Sequence, residues 1–233
     1  MAVLDPDLLL RAYAIGVFPM SDSRDAKDVF WVEPKRRAII PLDGFHLSRS
    51  LRKAIRSGLF EVTRDIAFAE VVERCAERDE TWINTSIQES FSELHRLGHA
   101  HSIECWHEEE LVGGLYGVKL GGAFFGESMF SLRTDASKVA LAWLVARMKV
   151  GGYRLLDCQF MTEHLRSLGA IEITQKAYVS MLSDALASAG VGAGAGAGPE
   201  FGALDRLLGA DSSRTVDAAA SGCVIAQLLG HTS

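Results

Sequence analysis

The spacing of apolar residues along the chain changes several times between the period of a helix and that of a strand. Two stretches of alternating polarity, 101–107 and 111–120, are joined by three glutamates and predict a hairpin. The apolar stretch 123–131 predicts a third strand, and a long helix capped by Thr134 or Asp135 follows it. The other predicted elements are helices over 7–15, 66–76, 86–97, 162–168 and 175–187, a helix capped by Ser48 or Ser50, strands over 29–32, 38–40, 61–63, 153–160 and 171–174, and a turn over 16–20.

The order of these elements predicts an α+β fold, because antiparallel strands give way to strand–helix–strand units in a mixed sheet with helices on both sides. The composition changes at Ser188, so we expect a tail over 188–233. Alternating Gly and Ala over 190–198 predict a flexible linker. The rest of the tail is expected to be poorly ordered with weak helices, and no function is assigned to it.

The composition is that of a soluble globular protein, since 48% of the 233 residues are apolar and 23% are charged. No apolar run reaches the roughly 18 to 20 residues of a membrane span, and the N-terminus lacks the pattern of a signal peptide, so we expect a cytoplasmic location. The four cysteines lie far apart and are expected to be reduced, with Cys158 as a nucleophile the less favoured alternative. Three histidines between 95 and 101 are expected to serve the fold, so the sequence predicts no metal site.

Basic residues are concentrated in one short segment of an otherwise acidic protein. The net charge is −6, yet the segment 35–56 holds seven basic residues and one acid, a net +6, which leaves −12 on the remaining residues. A helix would place four of these basic residues on one stripe, because they recur at the spacing i, i+3, i+4 and i+7. A solvated helix face is one explanation, and binding of a polyanion is the other. The four are Arg49, Arg52, Lys53 and Arg56.

Acidic and amide side chains follow two apolar stretches that are predicted to be strands. Glu127 closely follows the apolar residues 121–125, and Asp157 and Gln159 follow a second apolar pair. A carboxylate at such a place is costly to desolvate, so it needs a partner or a function. A capping or ion-pair role is the alternative for each acid. Because alternation puts Asp157 and Gln159 on the same side of their strand, the sequence predicts a polar site at one edge of the sheet.

Ten motifs, in order over roughly residues 5 to 182, give the chain a family resemblance. It resembles the leucyl/phenylalanyl-tRNA–protein transferases. The motifs are RAY and GVFP within 11–19, FWVEP at 30–34, HLSRS at 46–50, TWI at 81–83, GHAHS at 98–102, LVGGLYG at 111–117, FGESMF at 125–130, ASK at 136–138, DCQ at 157–159 and HLRSLGA at 164–170.

The resemblance implies an enzyme that takes Leu or Phe, and less well Met, from an aminoacyl-tRNA. Such enzymes attach the residue to proteins that begin with Arg or Lys and so mark them for degradation. The implied fold is a small N-terminal α/β domain with the basic helix, expected over 1–63, followed by a catalytic domain like that of the acyl-CoA N-acyltransferases, expected over 64–187. The resemblance implies no metal or nucleotide cofactor, and we expect a monomer without membrane partners.

The proposed catalytic positions of the family match Asp157, Gln159 and Glu127. The reaction is attack by an α-amine on an activated ester, so positioning and proton handling dominate the barrier. The amide of Gln159 cannot titrate, but its carbonyl can accept a hydrogen bond from the amine. Asp157 would polarise that amide or hold the amine, and Glu127 would hold the acceptor terminus by a charge-assisted bond. Which of the three handles the proton stays open.

Two further groups of residues follow from the resemblance. The residues expected to bind the aminoacyl group and the terminal adenosine are Trp82, Leu115, Phe124, Leu144, Met148, Leu156, Met20 and Trp31. The residues expected to bind tRNA are Arg36, Arg37, Arg49, Arg52, Lys53 and Arg56. Two departures from many relatives are Met20 in place of a Trp, and FWVEP in place of a Trp-Trp-Ser-Pro stretch.

Two other functions are compatible with parts of the pattern. An acetyl-CoA-dependent N-acetyltransferase would share the fold, but it needs a glycine-rich pyrophosphate loop, and the corresponding residues 131–137 contain no glycine. A non-catalytic RNA-binding module would explain the basic stripe and leave Glu127, Asp157 and Gln159 without a role.

Overall fold

The structure is a computed structural model that describes residues 3–188, 198–209 and 217–230. Most of the linker predicted over 190–198 lies outside these residues. The helices are α1 Pro6–Ala14, α2 Arg49–Arg56, α3 Phe68–Ala76, α4 Thr85–Arg96, α5 Ala136–Val150, α6 Glu163–Ser167, α7 Gln175–Ala187, α8 Ala203–Leu207 and α9 Ala218–Leu228. The strands are β1 Phe18–Met20, β2 Phe30–Val32, β3 Arg36–Ile40, β4 Glu61–Arg64, β5 Ala100–His107, β6 Glu110–Leu120, β7 Ala123–Ser131, β8 Leu155–Gln159 and β9 Ile171–Thr174.

A seven-stranded mixed sheet forms the centre of the protein, in the order β4-β5-β6-β7-β8-β3-β9. Neighbouring strands are antiparallel except β7 and β8, which are parallel because α5 connects them as a crossover. This arrangement confirms the predicted α+β class with a mixed sheet. β3 and β4 belong to the same sheet as the later strands, so the domain boundary predicted at residue 63 runs through the sheet.

Helices cover both faces of the sheet and give it two apolar cores. On one side, called the α5 face, the core contains residues of α2, α5, α8 and α9. On the other side, called the α3 face, it contains residues of α1, α3, α4 and α7. Helix α5 is buried along almost its whole length, which explains why its sequence is apolar on all sides. Helices therefore cover both faces of the sheet, and a gap between two strands would connect one face with the other.

Most helix starts lie where capping residues predict them. The hydroxyl of Ser48 accepts the backbone N–H of Leu51, and Asn84 and Thr174 cap α4 and α7 in the same way. Asp135 occupies the N-cap position of α5, but its side chain makes no capping bond and pairs with Lys138 instead. The predicted turn over 16–20 is wrong in part. Residues 18–20 form β1, which pairs with β2 in a separate two-stranded ribbon.

The described tail residues pack on the core, which differs from the poor order expected for them. The ring of Phe201 stacks on Phe124 and His101, with ring centroids 5.5 and 4.2 Å away. Asp205 forms ion pairs with Arg147 at 2.6 Å and with Arg64 at 2.7 Å. The tail therefore ties α5 to strand β4 through buried contacts that a compositional analysis does not reveal.

Helix α9 packs closely against the basic helix α2. A Cβ at Gly222 would lie 2.0 Å from the carbonyl oxygen of Ile55, so only glycine permits this approach. Among the described residues, no helix combines the length and the apolar character needed to cross a membrane.

The Asp205 ion pairs give a test of the tail's contribution to stability. Asp205→Ala should lower the free energy of unfolding by about 3 kcal/mol, because it leaves the buried guanidinium of Arg147 without its counter-charge. Chemical denaturation measures this change. Glu200→Gln is the matched control, since it breaks an exposed ion pair with Arg206 in the same segment and should cause no measurable loss. Equal effects of the two substitutions would contradict a core role for the tail.

Candidate active site

The site lies where β7 and β8 separate. The two parallel strands pair only through Ala123–Leu155, Phe124–Leu156 and Phe125–Asp157, yet β7 continues to Ser131. The strands on both sides of this point are irregular, with shifts of register between Tyr116 and Gly117 in β6 and between Ala38 and Ile39 in β3. Such bulges bend strands and commonly lie beside active sites. The result is a gap in the sheet that begins directly after Asp157.

Glu127 and Gln159 meet across this gap. The amide Nε2 of Gln159 donates a hydrogen bond to Oε1 of Glu127 at 3.0 Å, and the hydroxyl of Tyr13 donates to the same oxygen at 2.7 Å. The structure thus brings together two of the three polar residues that the sequence singled out. Tyr13 was not predicted as a site residue, although it lies in the first motif. The sequence feature that could have identified it is a tyrosine among the apolar residues of α1.

The backbone at Gln159 has an uncommon conformation. Its φ is +62°, in the left-handed region, and the N–H of Phe160 donates to the carbonyl oxygen of Cys158 at 2.7 Å. These features define a γ-turn with positive φ, which is rare and strained for a residue with a Cβ. The carboxylate of Asp157 accepts the backbone N–H of Gln159 at 2.8 Å and holds the turn in place. Strain of this kind, kept by neighbouring contacts, is typical of functional sites.

Asp157 is part of a buried ion pair with Arg37. The Nη2 of Arg37 lies 2.5 Å from Oδ2 of Asp157, and the two residues are 1% and 0% exposed. The hydroxyl of Tyr178 donates to the same carboxylate at 2.8 Å, and Nη1 of Arg37 donates to the carbonyl oxygen of Gly16 at 2.9 Å. Burial opposes the charge of Arg37, but the hydrogen bond and the charge of Asp157 outweigh it and raise the pKa of the guanidinium.

This ion pair corrects two expectations from the sequence. Arg37 was expected to bind tRNA, but its guanidinium is enclosed between the rings of Phe18 and Tyr178, and a phosphate cannot reach it. Asp157 was expected to polarise the side-chain amide of Gln159 or to hold the amine. Its carboxylate contacts the backbone N–H of Gln159 instead and does not line the cavity. The sequence feature that could have indicated burial of Arg37 is the apolar run 38–40 that follows it directly.

Glu127 has the electrostatics of a group that can exchange a proton near neutral pH. Burial raises the pKa of Glu127 to about 7, and the charge of Asp157 acts in the same direction. Hydrogen bonds from Tyr13 and Gln159 and the charge of Arg37 oppose this rise without cancelling it. The second carboxylate oxygen, Oε2, is buried and has no hydrogen-bond partner among the described residues. Glu127 is therefore a carboxylate with one oxygen available to a ligand.

A cavity of about 700 Å³ passes through the gap and has two unlike sides. Its side on the α5 face is mainly apolar, and its side on the α3 face carries charged and hydroxyl groups. The apolar side is lined by Leu115, Met129, Leu141, Leu144, Leu156 and Leu165. The polar side is lined by Arg74, Glu77, Arg78, Trp82, Tyr116 and Ser128.

The structure brings together only part of the predicted substrate pocket. Leu115, Leu144, Leu156 and Trp82 line the cavity. Phe124 and Met148 do not line it, because Phe124 stacks on Phe201 and Met148 is fully buried one helical turn beyond Leu144. Met129 and Leu141 also line the cavity, and the sequence analysis missed them. The features that could have identified them are the place of Met129 on β7 and the place of Leu141 on the same face of α5 as Leu144.

Met20 and Trp31 lie beside the cavity without lining it. Both belong to the β1–β2 ribbon, where Trp31 pairs with Pro19 and is 39% exposed. The backbone N–H of Ser21 donates to the carbonyl oxygen of Trp82 at 3.2 Å, which places the end of β1 next to a cavity-lining residue. The ribbon therefore presents an exposed aromatic side chain near the polar side of the cavity.

The basic stripe predicted on α2 is present and faces solvent. Arg49, Lys53 and Arg56 are exposed, whereas Arg52 is half-buried close to Gly230 at the end of α9. Arg36 lies elsewhere, on β3, where its Nε is 2.6 Å from Glu172. Helix α2 packs on the α5 face of the sheet, with Leu51 and Ile55 directed into that core.

Comparisons with known proteins match nearly the whole chain to one family. The family model described as leucyl/phenylalanyl-tRNA protein transferase matches residues 39–183, and the model of its N-terminal domain matches residues 2–35. The leucyl/phenylalanyl-tRNA–protein transferase of Rhizorhabdus wittichii is 62% identical over the full length of both chains. That of Zymomonas mobilis is 61% identical and covers 80% of this chain and 71% of its own. Among solved structures, FemX aligns with a TM-score of 0.47 and 13% identity over 72% of this chain and 66% of its own.

The matched regions contain every motif on which the resemblance in sequence rested, so that resemblance is confirmed. The chain belongs to the leucyl/phenylalanyl-tRNA–protein transferase family.

Proposed function

We propose that this enzyme moves Leu or Phe, and less well Met, from an aminoacyl-tRNA to the α-amine of proteins that begin with Arg or Lys. The product would be marked for degradation, and charged tRNA as the donor accords with a cytoplasmic location. The observation that carries the proposal is one cavity in which an apolar side and the Glu127–Gln159 pair meet at a gap between strands. Such a cavity can hold a hydrophobic acyl group next to a proton acceptor.

Glu127 is the residue best suited to handle the proton. An α-amine has a pKa near 8, so it loses a proton readily to a carboxylate whose pKa is about 7. Gln159 has no titratable group, and Asp157 is held by Arg37, Tyr178 and the backbone. In the transfer, the amine nitrogen bonds to the ester carbon, the bond to the 3′-oxygen of the tRNA breaks, and the proton taken by Glu127 passes to that oxygen.

Gln159 is positioned to align the amine. Its Nε2 donates to Glu127, so its carbonyl oxygen Oε1 is left as the acceptor for an N–H of the incoming amine. The γ-turn fixes the backbone from which this side chain projects, and the Arg37–Asp157 pair fixes the turn. Alignment of a reacting pair in this way supplies much of the rate enhancement when the ester is already activated.

The apolar side of the cavity fits the side chain of the transferred residue. Leu115 and Met129 on neighbouring strands, Leu144 on α5 and Leu156 on β8 surround a space that reaches the gap. Leucine and phenylalanine are unbranched at Cβ and broad beyond it. A methylene group is worth only about 1 to 3 kcal/mol in such a pocket, so rejection of Val and Ile would depend on steric overlap at the gap.

Transfer of labelled leucine tests the proposal directly. The wild-type chain should move leucine from leucyl-tRNA to a peptide that begins with Arg, and Gln159→Ala should reduce kcat/KM about 100-fold because the amine loses its alignment. Gln175→Ala is the matched control, since the side-chain amide of Gln175, on α7, donates to Glu33 at the surface. Absence of transfer by the wild-type chain would refute the function.

The titration of Glu127 should be visible in the pH profile. We expect kcat/KM to rise with pH through an apparent pKa of about 7, because the ionised carboxylate accepts the proton. Glu127→Gln should lower the rate about 100-fold and leave only the rise near pH 8 that belongs to the amine itself. If the rise of kcat/KM near pH 7 persists in Glu127→Gln, a group other than Glu127 accepts the proton.

The exposed basic residues of α2 should govern the affinity for tRNA. The substitution pair Lys53→Glu and Arg56→Glu should raise the KM for leucyl-tRNA about tenfold or more and flatten its dependence on salt, with no change in the KM for the peptide. Lys176→Glu is the control, because Lys176 is exposed on α7, lies outside the basic segment 35–56 and does not line the cavity. If both variants affect tRNA equally, α2 is not a specific contact.

A further inference from the structure

Tyr116 has a buried hydroxyl that the fold leaves without a partner. It lies on β6 with 0% exposure, and its ring packs edge-on against Phe91 and Phe68, with ring centroids 5.3 and 5.9 Å away. Its Oη makes no hydrogen bond to any described residue, although the residue lines the cavity. A phenylalanine would satisfy the packing equally well. Since a buried hydroxyl without a partner is unfavourable, its presence here points to a group that is supplied from outside the chain.

Glu127 lines the same cavity and has the second unpartnered oxygen. Its Oε1 is taken by Tyr13 and Gln159, while Oε2 is buried and free among the described residues. Both partners of Oε1 are neutral, and the nearby cation Arg37 is bound to Asp157. Buried carboxylates are normally balanced by a positive charge. Among the described residues, Oε2 of Glu127 therefore lacks a hydrogen-bond donor, and no cation is paired with the carboxylate.

Tyr116 and Glu127 lie on the neighbouring strands β6 and β7, and both line the cavity. Burial raises the pKa of Tyr116, and the neighbouring Glu127 raises it further, while Arg78 acts in the opposite direction. The hydroxyl is thus a neutral phenol that can accept or donate a hydrogen bond. The guanidinium of Arg78 donates to the carbonyl oxygen of Met129 and makes no hydrogen bond to the hydroxyl of Tyr116 or to Oε2 of Glu127.

We propose that Tyr116 is a substrate-binding residue whose hydroxyl, together with Oε2 of Glu127, holds the α-ammonium group of a substrate. An alkylammonium supplies the missing positive charge and has N–H donors for both oxygens. A ribose hydroxyl could bond to both oxygens but would leave Glu127 without a counter-charge. The inference rests on the proposed function, in which Glu127 takes the proton from the α-amine of the acceptor protein. The aminoacyl group carries the other α-amine that could occupy this place.

Tyr116→Phe tests the inference, since it removes one oxygen and keeps the ring. Steady-state kinetics with an Arg-starting peptide and two donors separate the possible sources of the ammonium. The donors are leucyl-tRNA and the same tRNA esterified with 2-hydroxy-4-methylpentanoate, which has a hydroxyl in place of the α-amine. A rise of about tenfold in the KM for the peptide supports binding of the acceptor terminus. A similar rise in the KM for leucyl-tRNA, absent with the hydroxy acid donor, supports binding of the donor amine.

Tyr153→Phe is the matched control. Tyr153 is also buried and its hydroxyl also lacks a partner among the described residues, but it does not line the cavity, so all three KM values should stay unchanged. Both variants should keep the melting temperature of the wild type. If Tyr116→Phe raises the KM of both donors equally and leaves the KM for the peptide unchanged, Tyr116 contacts another part of the tRNA and the inference is overturned. Unchanged kinetics of Tyr116→Phe would overturn it as well. Failure of the wild type to transfer leucine would instead refute the proposed function, and this inference with it.

Discussion

The buried ion pair between Arg37 and Asp157 is the contact on which the site depends. It joins β3 to β8, and through Gly16 and Tyr178 it also holds the end of α1 and the start of α7. Two charges removed from water are stable only when each keeps its partner and its remaining hydrogen bonds are satisfied. This requirement determines the position of the Asp157 carboxylate. That carboxylate in turn fixes the strained turn at Gln159.

A second constraint is the separation of the only parallel strand pair among the described residues. Strands β7 and β8 part after three residue pairs, and the gap connects the two faces of a sheet that both cores otherwise cover. An apolar acyl group and a polar, charged nucleotide need different surroundings. The cavity has an apolar side on the α5 face and a polar side on the α3 face. The Glu127–Gln159 pair lies at the boundary between them. Under the proposed function, the ester bond would lie beside this pair.

The sequence contains enough to predict most of the strands, most helix limits and a polar site that includes Glu127 and Gln159. Alternation and capping are local signals, and two strands that end in polar residues are recognisable in one chain. Other features depend on contacts between distant segments. Arg37 stands beside other basic residues, and only the fold shows that it turns inward while Arg36 remains outside. Phe124 is apolar whether it faces a ligand or Phe201, and the packing of the tail on α5 decides between them.

A crystal structure with a stable leucyl-adenosine, in which an amide replaces the 3′-ester, tests the central claim most directly. The account predicts the leucyl side chain against Leu115, Leu144 and Leu156, the carbonyl group in the gap beside Gln159, and the nucleoside on the side of Trp82. A leucyl side chain on the polar side of the cavity, or an analogue bound away from the gap, would contradict it.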